Sequence, residues 1–541
     1  MFLGRSQVPV PQNEQVKNYA PESLERRDLH TSLTEQMNPI EIPLVIGSKK
    51  IFTKKKEPIV CPHNHRNTLA FSSHAGKHEA EQAVVAAIRA RKEWGALAFE
   101  DRAAVFLKAA ELLATKYRAK MNAATMLGQS KTIHQAEIDA SCELIDFFNF
   151  NVHFAQRILE EQPQSSRGVW NQLAPRGLEG FVYAVAPFNF TSISVNLACA
   201  PALMGCTVIW KPAHTAVLSS YVGYQILEEA GLPPGVIQFL PGNSQEISLV
   251  LLQNENLNGI HFTGSTSVFN HLWKSTAENL DRYRSYPRLV GETGGKDFVF
   301  AHESADPTLL VTALVRGAFE YQGQKCSAAS RAYIPKSLWA KIRDDLSNTV
   351  KNIAVGDISE FKNFMGAVID ERAFKKITQY IQTAKNSPDA KIIAGGESDS
   401  KVGYFIKPTV IETTDPQFVT MKEEIFGPVL TVYVYDENKF DETLAICNNT
   451  SPYALTGAIF ACDRHTIALM AQALEDAAGN FYINDKPTGA VVGQQPFGGS
   501  RKSGTNDKAG SIYNLTRWVS HRTIKENFSY NDSYRYPYMG P

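Results

Sequence analysis

Three side chains of kinds that suit covalent catalysis lie within about 140 residues of one another: Asn189, Glu292 and Cys326. Cys326 comes just after Gly323, and the thiolate form of such a side chain is a nucleophile. Glu292 stands beside glycines just past an apolar run, where a carboxylate can act as a general base. The amide of Asn189 is a neutral donor that suits an oxyanion, because it cannot be titrated away.

Each of the three also fits an ordinary structural role. A buried, inert cysteine is a common fate for a thiol, and a loop Glu often caps a helix. Asn189 precedes Thr191 and Ser192, which open a helical run, so it could be a helix N-cap. The appearance of all three in one stretch favours catalysis over three unrelated structural roles.

Two further segments indicate where a dinucleotide could bind. Trp210-Lys211 ends a second apolar run, and Lys211 could meet ribose hydroxyls or a phosphate. Gly264-Ser265 follows a fourth run and opens a helix whose N-terminus would favour a pyrophosphate. The Gly-x-Gly-x-x-Gly fingerprint is absent from the sequence, so the usual dinucleotide-binding turn is not predicted.

The apolar runs that carry these residues recur at a nearly constant spacing. They start 26, 29, 23 and 29 residues apart, with segments between them that can be helical. This alternation predicts right-handed crossovers and a doubly wound parallel sheet, which binds ligands beyond the C-terminal ends of its strands. The predicted strands are residues 181–186, 207–210, 236–240, 259–262 and 288–290.

Further α/β structure is predicted on both sides of this block. After about residue 294 we expect strands at 332–334, 391–393 and 429–435, and helices at 307–321, 337–350 and 371–384. Helices are also predicted at 78–94, 103–117 and 135–155. Residues 1 to about 55 are polar and broken by prolines, which predicts an arm with little core of its own, and the chain ends in a polar, Tyr-rich tail.

The composition is that of an ordinary globular protein. Of the 541 residues, 43% are apolar and 20% are charged. A chain of this length is too long for one compact core, so we expect two domains. Lys plus Arg equals Asp plus Glu at 55 each, so no bulk charge indicates nucleic acid or a membrane as a partner. Seven scattered cysteines indicate a reducing compartment. Cys61, His63 and His65 look like half a metal site but lack the remaining ligands, so we expect no metal.

Taken together, the motifs resemble those of the aldehyde dehydrogenase superfamily over about residues 40 to 530. The resemblance rests on Pro-Phe-Asn-Phe (187–190), Trp-Lys-Pro-Ala (210–213), Phe-Thr-Gly-Ser (262–265), Gly-Glu-Thr-Gly-Gly-Lys (291–296), Gly-Gln-Lys-Cys (323–326) and Glu-Glu-Ile-Phe-Gly-Pro (423–428). Residues 135–148, 484–499 and 503–508 look like those of the pyrroline-5-carboxylate dehydrogenases. That family oxidises L-glutamate gamma-semialdehyde, the opened form of pyrroline-5-carboxylate, to L-glutamate in proline catabolism.

The resemblance implies a role for each residue. Cys326 would attack the aldehyde to give a thiohemiacetal, and Asn189 with the backbone N–H of Cys326 would hold the oxyanion. Hydride would pass to NAD, and Glu292 would activate the water that hydrolyses the thioacyl enzyme. The residues implied for the cofactor are Lys211, Gly264, Ser265, Thr266, Ser267, Val268, Glu424 and Phe426, and those implied for the substrate are Glu143, Phe190, Ser327, Gly489, Ala490 and Phe497.

Two positions depart from the family pattern. Some members carry Ser where this chain has Ala490, so backbone donors must suffice there for the alpha-carboxylate. Many NAD-specific relatives carry Glu three residues beyond Lys211, where it would repel a 2′-phosphate. This chain has His214 instead, which leaves NADP use open, although we expect NAD.

The implied fold is a Rossmann-type NAD-binding domain, an α/β catalytic domain and a small β-flap for oligomerisation. We assign residues 1–40 to an N-terminal arm, 41–160 and 183–293 to the NAD-binding domain, 294–493 to the catalytic domain, and 161–182 with 494–541 to the flap and tail. Because each part of the flap alone is a weak sheet edge, we expect at least a homodimer. The family's eukaryotic members are mitochondrial matrix enzymes, which favours that compartment although residues 1–20 give little support for a presequence.

Three other functions stay open at this point. A dehydrogenase of aliphatic aldehydes would discriminate poorly for an alpha-carboxylate. A catalytically silent relative is disfavoured by the intact Asn189, Glu292 and Cys326. A cysteine hydrolase would need a His base near Cys326, and the nearest in sequence, His302, lies in no recognisable motif.

Overall fold

A computed structural model describes residues 6–529 and 532–540. The parts of the predicted arm and tail at residues 1–5, 530–531 and 541 lie outside the described residues. Within the described part of the chain, no helix combines the length and apolar character needed to cross a membrane.

The α-helices surround the sheets and are numbered in chain order. They are α1 (Leu24–Glu35), α2 (Lys77–Ala96), α3 (Phe99–Leu112), α4 (Arg118–Gln129), α5 (Ile133–Ala136), α6 (Leu144–Glu160), α7 (Thr191–Leu203), α8 (Val217–Ala230), α9 (Ser244–Leu252), α10 (Thr266–Glu278), α11 (Pro307–Phe319), α12 (Lys336–Lys351), α13 (Glu371–Asn386), α14 (Val419–Lys422), α15 (Phe440–Asn449), α16 (Arg464–Ala473) and α17 (Ile512–Thr516). Two π-helical turns, Leu113–Tyr117 and Glu137–Glu143, interrupt the helical layer.

The strands are numbered in the same way. They are β1 (Ile40–Ile42), β2 (Leu44–Ile46), β3 (Lys49–Ile51), β4 (Lys56–Cys61), β5 (Asn64–Ser73), β6 (Val169–Gly177), β7 (Phe181–Val185), β8 (Thr207–Lys211), β9 (Ile237–Phe239), β10 (Leu257–Thr263), β11 (Arg288–Glu292), β12 (Asp297–Ala301), β13 (Ala329–Pro335), β14 (Ala390–Ala394), β15 (Ser398–Asp399), β16 (Phe405–Ile406), β17 (Thr409–Thr413), β18 (Val429–Tyr435), β19 (Tyr453–Ala454), β20 (Thr456–Phe460), β21 (Asn480–Ile483), β22 (Ser500–Arg501) and β23 (Val519–Asn527).

The first large sheet has the order β11-β10-β7-β8-β9-β2-β3. Strands β7 to β11 run parallel, while β2 and β3 are antiparallel additions at one edge. Side chains alternate between two cores: Val182 and Val208 face one helical layer, and Phe181 and Ile209 face the other. The predicted doubly wound parallel sheet is therefore confirmed: β8 and β9 are added on one side of β7, and β10 and β11 on the other.

The second large sheet has the order β14-β17-β18-β13-β12-β20-β21 and is parallel except for β14. It too is covered on both faces, with Val299 and Ala332 in one core and Phe298 and Tyr333 in the other. Apart from these sheets, β6 and β23 form a two-stranded antiparallel ribbon from Val169 paired with Asn527 to Gly177 paired with Val519. The α/β fold class expected from the sequence is confirmed.

The N-terminal segment is better packed than its composition suggests. Leu29 and Leu33 of α1 are buried against the first helical layer, and Tyr19 is buried as well. The Tyr19 hydroxyl donates to Glu137 Oε2 at 2.7 Å. The expectation of an arm with little core was wrong over residues 19 to 51, because its few apolar side chains meet partners distant in sequence.

Candidate active site

The candidate catalytic residues lie where the C-terminal ends of the strands of the first large sheet approach the N-terminal ends of the strands of the second. Asn189 follows β7, Lys211 ends β8 and Glu292 ends β11. Cys326 lies in the loop that leads into β13. Only residues 293–296 separate β11 from β12, so the general-base candidate stands at the crossover between the two sheets.

The loop that carries Cys326 has an unusual backbone. α11 ends at Phe319, two residues before the predicted end, because Tyr321, Gln322 and Gly323 adopt left-handed conformations with φ of 52°, 56° and 64°. Such conformations persist only where surrounding contacts hold them. Gln322 Nε2 provides two of these contacts by donating to Ser130 O at 2.9 Å and to Ala367 O at 2.8 Å.

Asn189 lies directly beside this loop. Its Nδ2 donates to Gln324 O at 3.0 Å, two residues before Cys326. The Gln324 side chain is held in turn, because its Oε1 accepts from the backbone N–H of Ile369 at 2.9 Å. An amide NH₂ has two protons, so Asn189 can keep this contact and still donate to an oxyanion.

Three acidic side chains, the buried Asp297 and the half-buried Glu292 and Glu424, lie close enough to Cys326 to affect its thiol. Burial, followed by the nearby carboxylates of Glu292, Asp297 and Glu424, raises the pKa of the Cys326 thiol well above its usual range. Burial also raises the pKa of Glu292 to about 8. Both groups are therefore neutral near neutral pH until a positive charge or a bound ligand changes their surroundings.

Cys326 opens into a cavity of about 660 Å³. Phe190 and Phe497 contribute apolar walls, and Glu143 is a half-buried carboxyl whose pKa is raised to about 8, mainly by desolvation. Ser327 Oγ donates to Thr488 Oγ1 at 2.9 Å next to the Gly489 turn. The structure thus gathers all of the predicted substrate residues around the thiol: Glu143, Phe190, Ser327, Gly489, Ala490 and Phe497.

The cavity also contains residues that sequence reasoning did not name. Lys325 lies in its wall, and its Nζ is 3.2 Å from Glu320 Oε2. A second cavity, of about 470 Å³, shares Glu143 and Phe497 with the first and reaches Glu292. The position of Lys325 beside Cys326 could have indicated its place in the wall, whereas nothing local pointed to the second cavity.

Two of the predicted cofactor segments lie at the C-terminal ends of β8 and β10, the strands on either side of β7. Lys211 is buried, donates to Pro212 O at 3.3 Å, and has a pKa lowered to about 8 by burial. Ser265 caps α10, with its Oγ accepting from Val268 N at 3.4 Å, so that Thr266 and Ser267 form the first turn after Gly264. The first N–H groups of a helix lack intrahelical partners and suit a phosphate.

Glu424 and Phe426 lie nearer to Cys326 than Lys211 and the start of α10 do. Glu424 Oε1 accepts from Gly295 N at 2.9 Å, and a Cβ on Gly294 would lie 2.6 Å from the other oxygen. The Phe426 ring meets Phe188 edge-on, with ring centroids 5.7 Å apart. A buried ammonium, a helix N-terminus and a half-buried carboxylate therefore suit the charged and hydroxylated parts of a dinucleotide.

The Cys61 and His63 pair is structural. His63 Nε2 lies 3.0 Å from Cys61 Sγ, and His63 Nδ1 lies 3.1 Å from Ser130 Oγ. Among residues 6–529 and 532–540, no group of three or more His, Cys, Asp or Glu side chains is arranged to hold a metal ion.

Comparison with known proteins agrees with this geometry. The model of the aldehyde dehydrogenase family matches residues 52–524. A mitochondrial delta-1-pyrroline-5-carboxylate dehydrogenase of Dictyostelium discoideum is 54% identical, covering 99% of this chain and 97% of the relative. The corresponding human protein is 49% identical, covering 97% of this chain and 94% of its own length.

Solved structures give the same result. The NAD-bound delta-pyrroline-5-carboxylate dehydrogenase of Mycobacterium tuberculosis superimposes with a TM-score of 0.97 at 52% identity, covering all of both chains. The NAD-bound 1-pyrroline-5-carboxylate dehydrogenase from Thermus has a TM-score of 0.91 at 32% identity, covering 96% of this chain and all of the other. The chain belongs to the aldehyde dehydrogenase family, within the branch of the delta-1-pyrroline-5-carboxylate dehydrogenases.

Proposed function

We propose that the protein catalyses the NAD-dependent oxidation of L-glutamate gamma-semialdehyde to L-glutamate, a step of proline catabolism. The observation that carries this proposal is the cavity at Cys326, whose lining combines a nucleophile with the apolar rings of Phe190 and Phe497 and with polar side chains such as Ser327 and Glu143. A gamma-semialdehyde has matching kinds of groups: an aldehyde, two methylenes, and a carbon that bears an ammonium and a carboxylate.

The first half of the reaction uses Cys326 and Asn189. The Cys326 thiol gives up its proton to solvent, the thiolate Sγ adds to the aldehyde carbon, the C=O π bond breaks, and the oxygen becomes an oxyanion. The second N–H of the Asn189 amide stabilises that charge, and no proton has to be transferred to provide it. NAD, when it is bound, supplies the hydride acceptor that converts the adduct to a thioester on Cys326.

The second half of the reaction uses Glu292. A water adds to the thioester carbon while Glu292 accepts a proton from it, the C–S bond breaks, and the sulfur of Cys326 leaves. The cavity of about 470 Å³ that reaches Glu292 offers room for that water. The products are L-glutamate and the free thiol side chain.

The substrate binds among the residues that line the cavity. The methylenes lie between the rings of Phe190 and Phe497. Ser327 and the backbone N–H groups of Gly489 and Ala490 bind the alpha-carboxylate, so no serine hydroxyl is needed at position 490. The substrate ammonium favours the ionised form of Glu143, which offsets the effect of burial on that carboxyl.

The cofactor roles follow the same geometry. Glu424, with Phe426 beside it, holds the nicotinamide ribose, and Lys211 holds the adenosine ribose. The start of α10, residues 264–268, receives the pyrophosphate.

The domain division and assembly belong to the same proposal. The strands of the first large sheet lie between residues 44 and 292, and those of the second between 297 and 483, in support of the assigned domains. The ribbon of β6 and β23 is the proposed oligomerisation flap of a homodimer. The mitochondrial matrix is the proposed location, because relatives such as the Dictyostelium and human proteins are named mitochondrial.

NADH formation with pyrroline-5-carboxylate and with hexanal tests the proposal. We expect turnover with pyrroline-5-carboxylate far above that with hexanal, and its loss in Cys326→Ala. Cys462→Ala removes an exposed thiol and serves as the matched control, with activity unchanged. Preference for hexanal would contradict the substrate assignment, and activity in Cys326→Ala would contradict the mechanism.

A further inference from the structure

We propose that Lys131 is a positioning residue that fixes the position of the Cys326 loop relative to the Asn189 loop. This inference rests on the roles proposed for Cys326 and Asn189. Lys131 lies at the end of α4 with a side chain that is 1% exposed. Its partners Asp139 and Phe190 line the substrate cavity, so Lys131 stands directly behind the cavity wall.

The ammonium of Lys131 contacts both loops. Its Nζ lies 4.2 Å from the centre of the Phe190 ring, next to Asn189, and 4.5 Å from the centre of the Tyr321 ring in the Cys326 loop. Cation–π attraction is strongest where the cation is desolvated. A single buried cation therefore draws together an aromatic ring from each side of the reacting centre.

An ion pair extends the connection to α7. Lys131 Nζ lies 2.7 Å from Asp139 Oδ2, which also accepts from Thr191 N at 2.9 Å. The other oxygen, Asp139 Oδ1, accepts from Ser192 N at 2.9 Å and from Ser192 Oγ at 2.7 Å. Asp139, from another segment of the chain, thus caps the first turn of α7, which begins two residues beyond Asn189. Lys131 orients that cap.

The neighbouring residue secures the other side. Ser130 has a left-handed backbone, with φ of 55°, and its carbonyl accepts from Gln322 Nε2 at 2.9 Å. Ser130 Oγ accepts from Ala367 N at 2.9 Å. Ser130 and Lys131 therefore hold the strained turn at Tyr321 and Gln322 while Lys131 holds the start of α7.

Loss of Lys131 should slow the chemistry more than it weakens binding. Lys131→Met keeps a long apolar side chain but removes the charge, which frees Asp139 and both rings to shift. A displacement of about 1 Å in a reacting group can slow a reaction on the order of 100-fold. We expect a reduction of this size in single-turnover NADH formation, with a much smaller change in KM for pyrroline-5-carboxylate and little change in NAD affinity.

Arg118→Met is the matched control. Arg118 begins α4, the helix that ends just before Lys131, and also makes a buried ion pair, with Glu137, but its other partner is Glu14 in the N-terminal segment rather than either of the two loops. Both variants should lower Tm, and only Lys131→Met should slow NADH formation. Equal slowing in both variants, or a full rate in Lys131→Met, would overturn the proposal.

A second variant covers the case in which Lys131→Met does not fold. Asp139→Asn keeps the side-chain volume and removes one acceptor of the α7 cap, so it should also slow the single-turnover rate, and a full rate would count against the proposal. Cys326→Ala separates the two levels of inference. Activity there would remove the proposed chemistry itself, and the role of Lys131 with it.

Discussion

Glu292 is a half-buried carboxyl, and its ionisation sets the expected pH range of the proposed hydrolysis step. Burial raises its pKa to about 8, Lys508 opposes the increase, and Asp507 adds to it. Lys508 is held by backbone oxygens, since its Nζ donates to Gly479 O at 2.8 Å and to Gly498 O at 2.9 Å. The charged and titratable groups in contact with this region also include Cys326 and, across the second cavity, Glu143 and His261.

We expect the rate of hydrolysis to rise with pH and to level off above about pH 8, because only the ionised carboxylate accepts a proton from water. Lys508→Met should move the midpoint to higher pH, since it removes the cation that lowers the pKa of Glu292. Steady-state turnover measured across pH checks this, with exposed Lys439→Met as the control. A midpoint in the ordinary carboxyl range would contradict the expectation.

His214 stands where many NAD-specific relatives carry a carboxylate, and the structure brings another carboxylate to that place. Glu57 Oε2 lies 3.4 Å from His214 Nδ1, and Glu57 Oε1 lies 3.1 Å from His74 Nδ1. Because His214 is three residues from Lys211, Glu57 would oppose a 2′-phosphate on the adenosine ribose.

Glu57→Gln should therefore improve the use of NADP. We expect kcat/KM for NADP to rise on the order of tenfold, the effect of about 1.4 kcal/mol, with little change for NAD. Glu41→Gln, another exposed carboxylate in the same three-stranded sheet, is the control. An unchanged ratio of the two cofactors would show that Glu57 does not select between them.

Local motifs marked Cys326, Glu292 and Asn189 as candidates, because each lies near glycines or at a predicted strand end, and the structure places all three where the two large sheets meet. Nothing in the local sequence marked Lys131 or Asp139 as candidates in this way. Their pairing depends on a π-helical turn, Glu137–Glu143, and on contacts with residues more than fifty positions away. Residues that hold a site in place are therefore harder to predict than residues that react.

At the scale of elements, the sequence predicted what depends on periodicity. The strand predicted at 429–435 agrees with β18, and the five strands of the first parallel block were each found within about two residues. The three-stranded sheet of β1, β5 and β4 was not predicted. Its strands are short or half-exposed, so alternation of apolar residues is weak, and only packing against the rest of the molecule defines them.

Helix α1 gives a direct test of the packing of the N-terminal segment. Leu29 is fully buried against α4, whereas Leu24 on the same helix is 70% exposed. Leu29→Ala should lower the free energy of unfolding by about 2 to 5 kcal/mol through lost burial and the resulting cavity. Leu24→Ala should leave it nearly unchanged. Chemical denaturation of both variants measures the difference, and equal stability would indicate that α1 contributes little.

At the scale of the whole molecule, the ribbon of β6 and β23 lacks a core of its own. Almost all of its side chains are half-buried or exposed, including Trp170 at 53%. An isolated two-stranded ribbon is marginally stable in water. A second copy of the chain is the proposed cover, which makes the ribbon a site where assembly and folding support one another.

Trp170→Asp should therefore weaken the proposed dimer. An aromatic anchor at an interface commonly contributes on the order of 2 kcal/mol or more, so dissociation should begin at a higher protein concentration than in the unaltered protein. Sedimentation velocity over a dilution series measures this. Leu249→Asp changes an exposed leucine on α9 and should have no effect. A monomeric unaltered protein would contradict the proposed assembly.

The short crossover at residues 293–296 has a consequence for how the chain can change in length. Each large sheet is covered by its own helices and could accommodate an inserted residue in a surface loop. An extra residue in the crossover would leave both cores intact yet displace Glu292 from Cys326 by up to about 3.4 Å, one residue of extended chain. The proposed role of Glu292 therefore fixes the length of this segment as firmly as it fixes the identity of the residue.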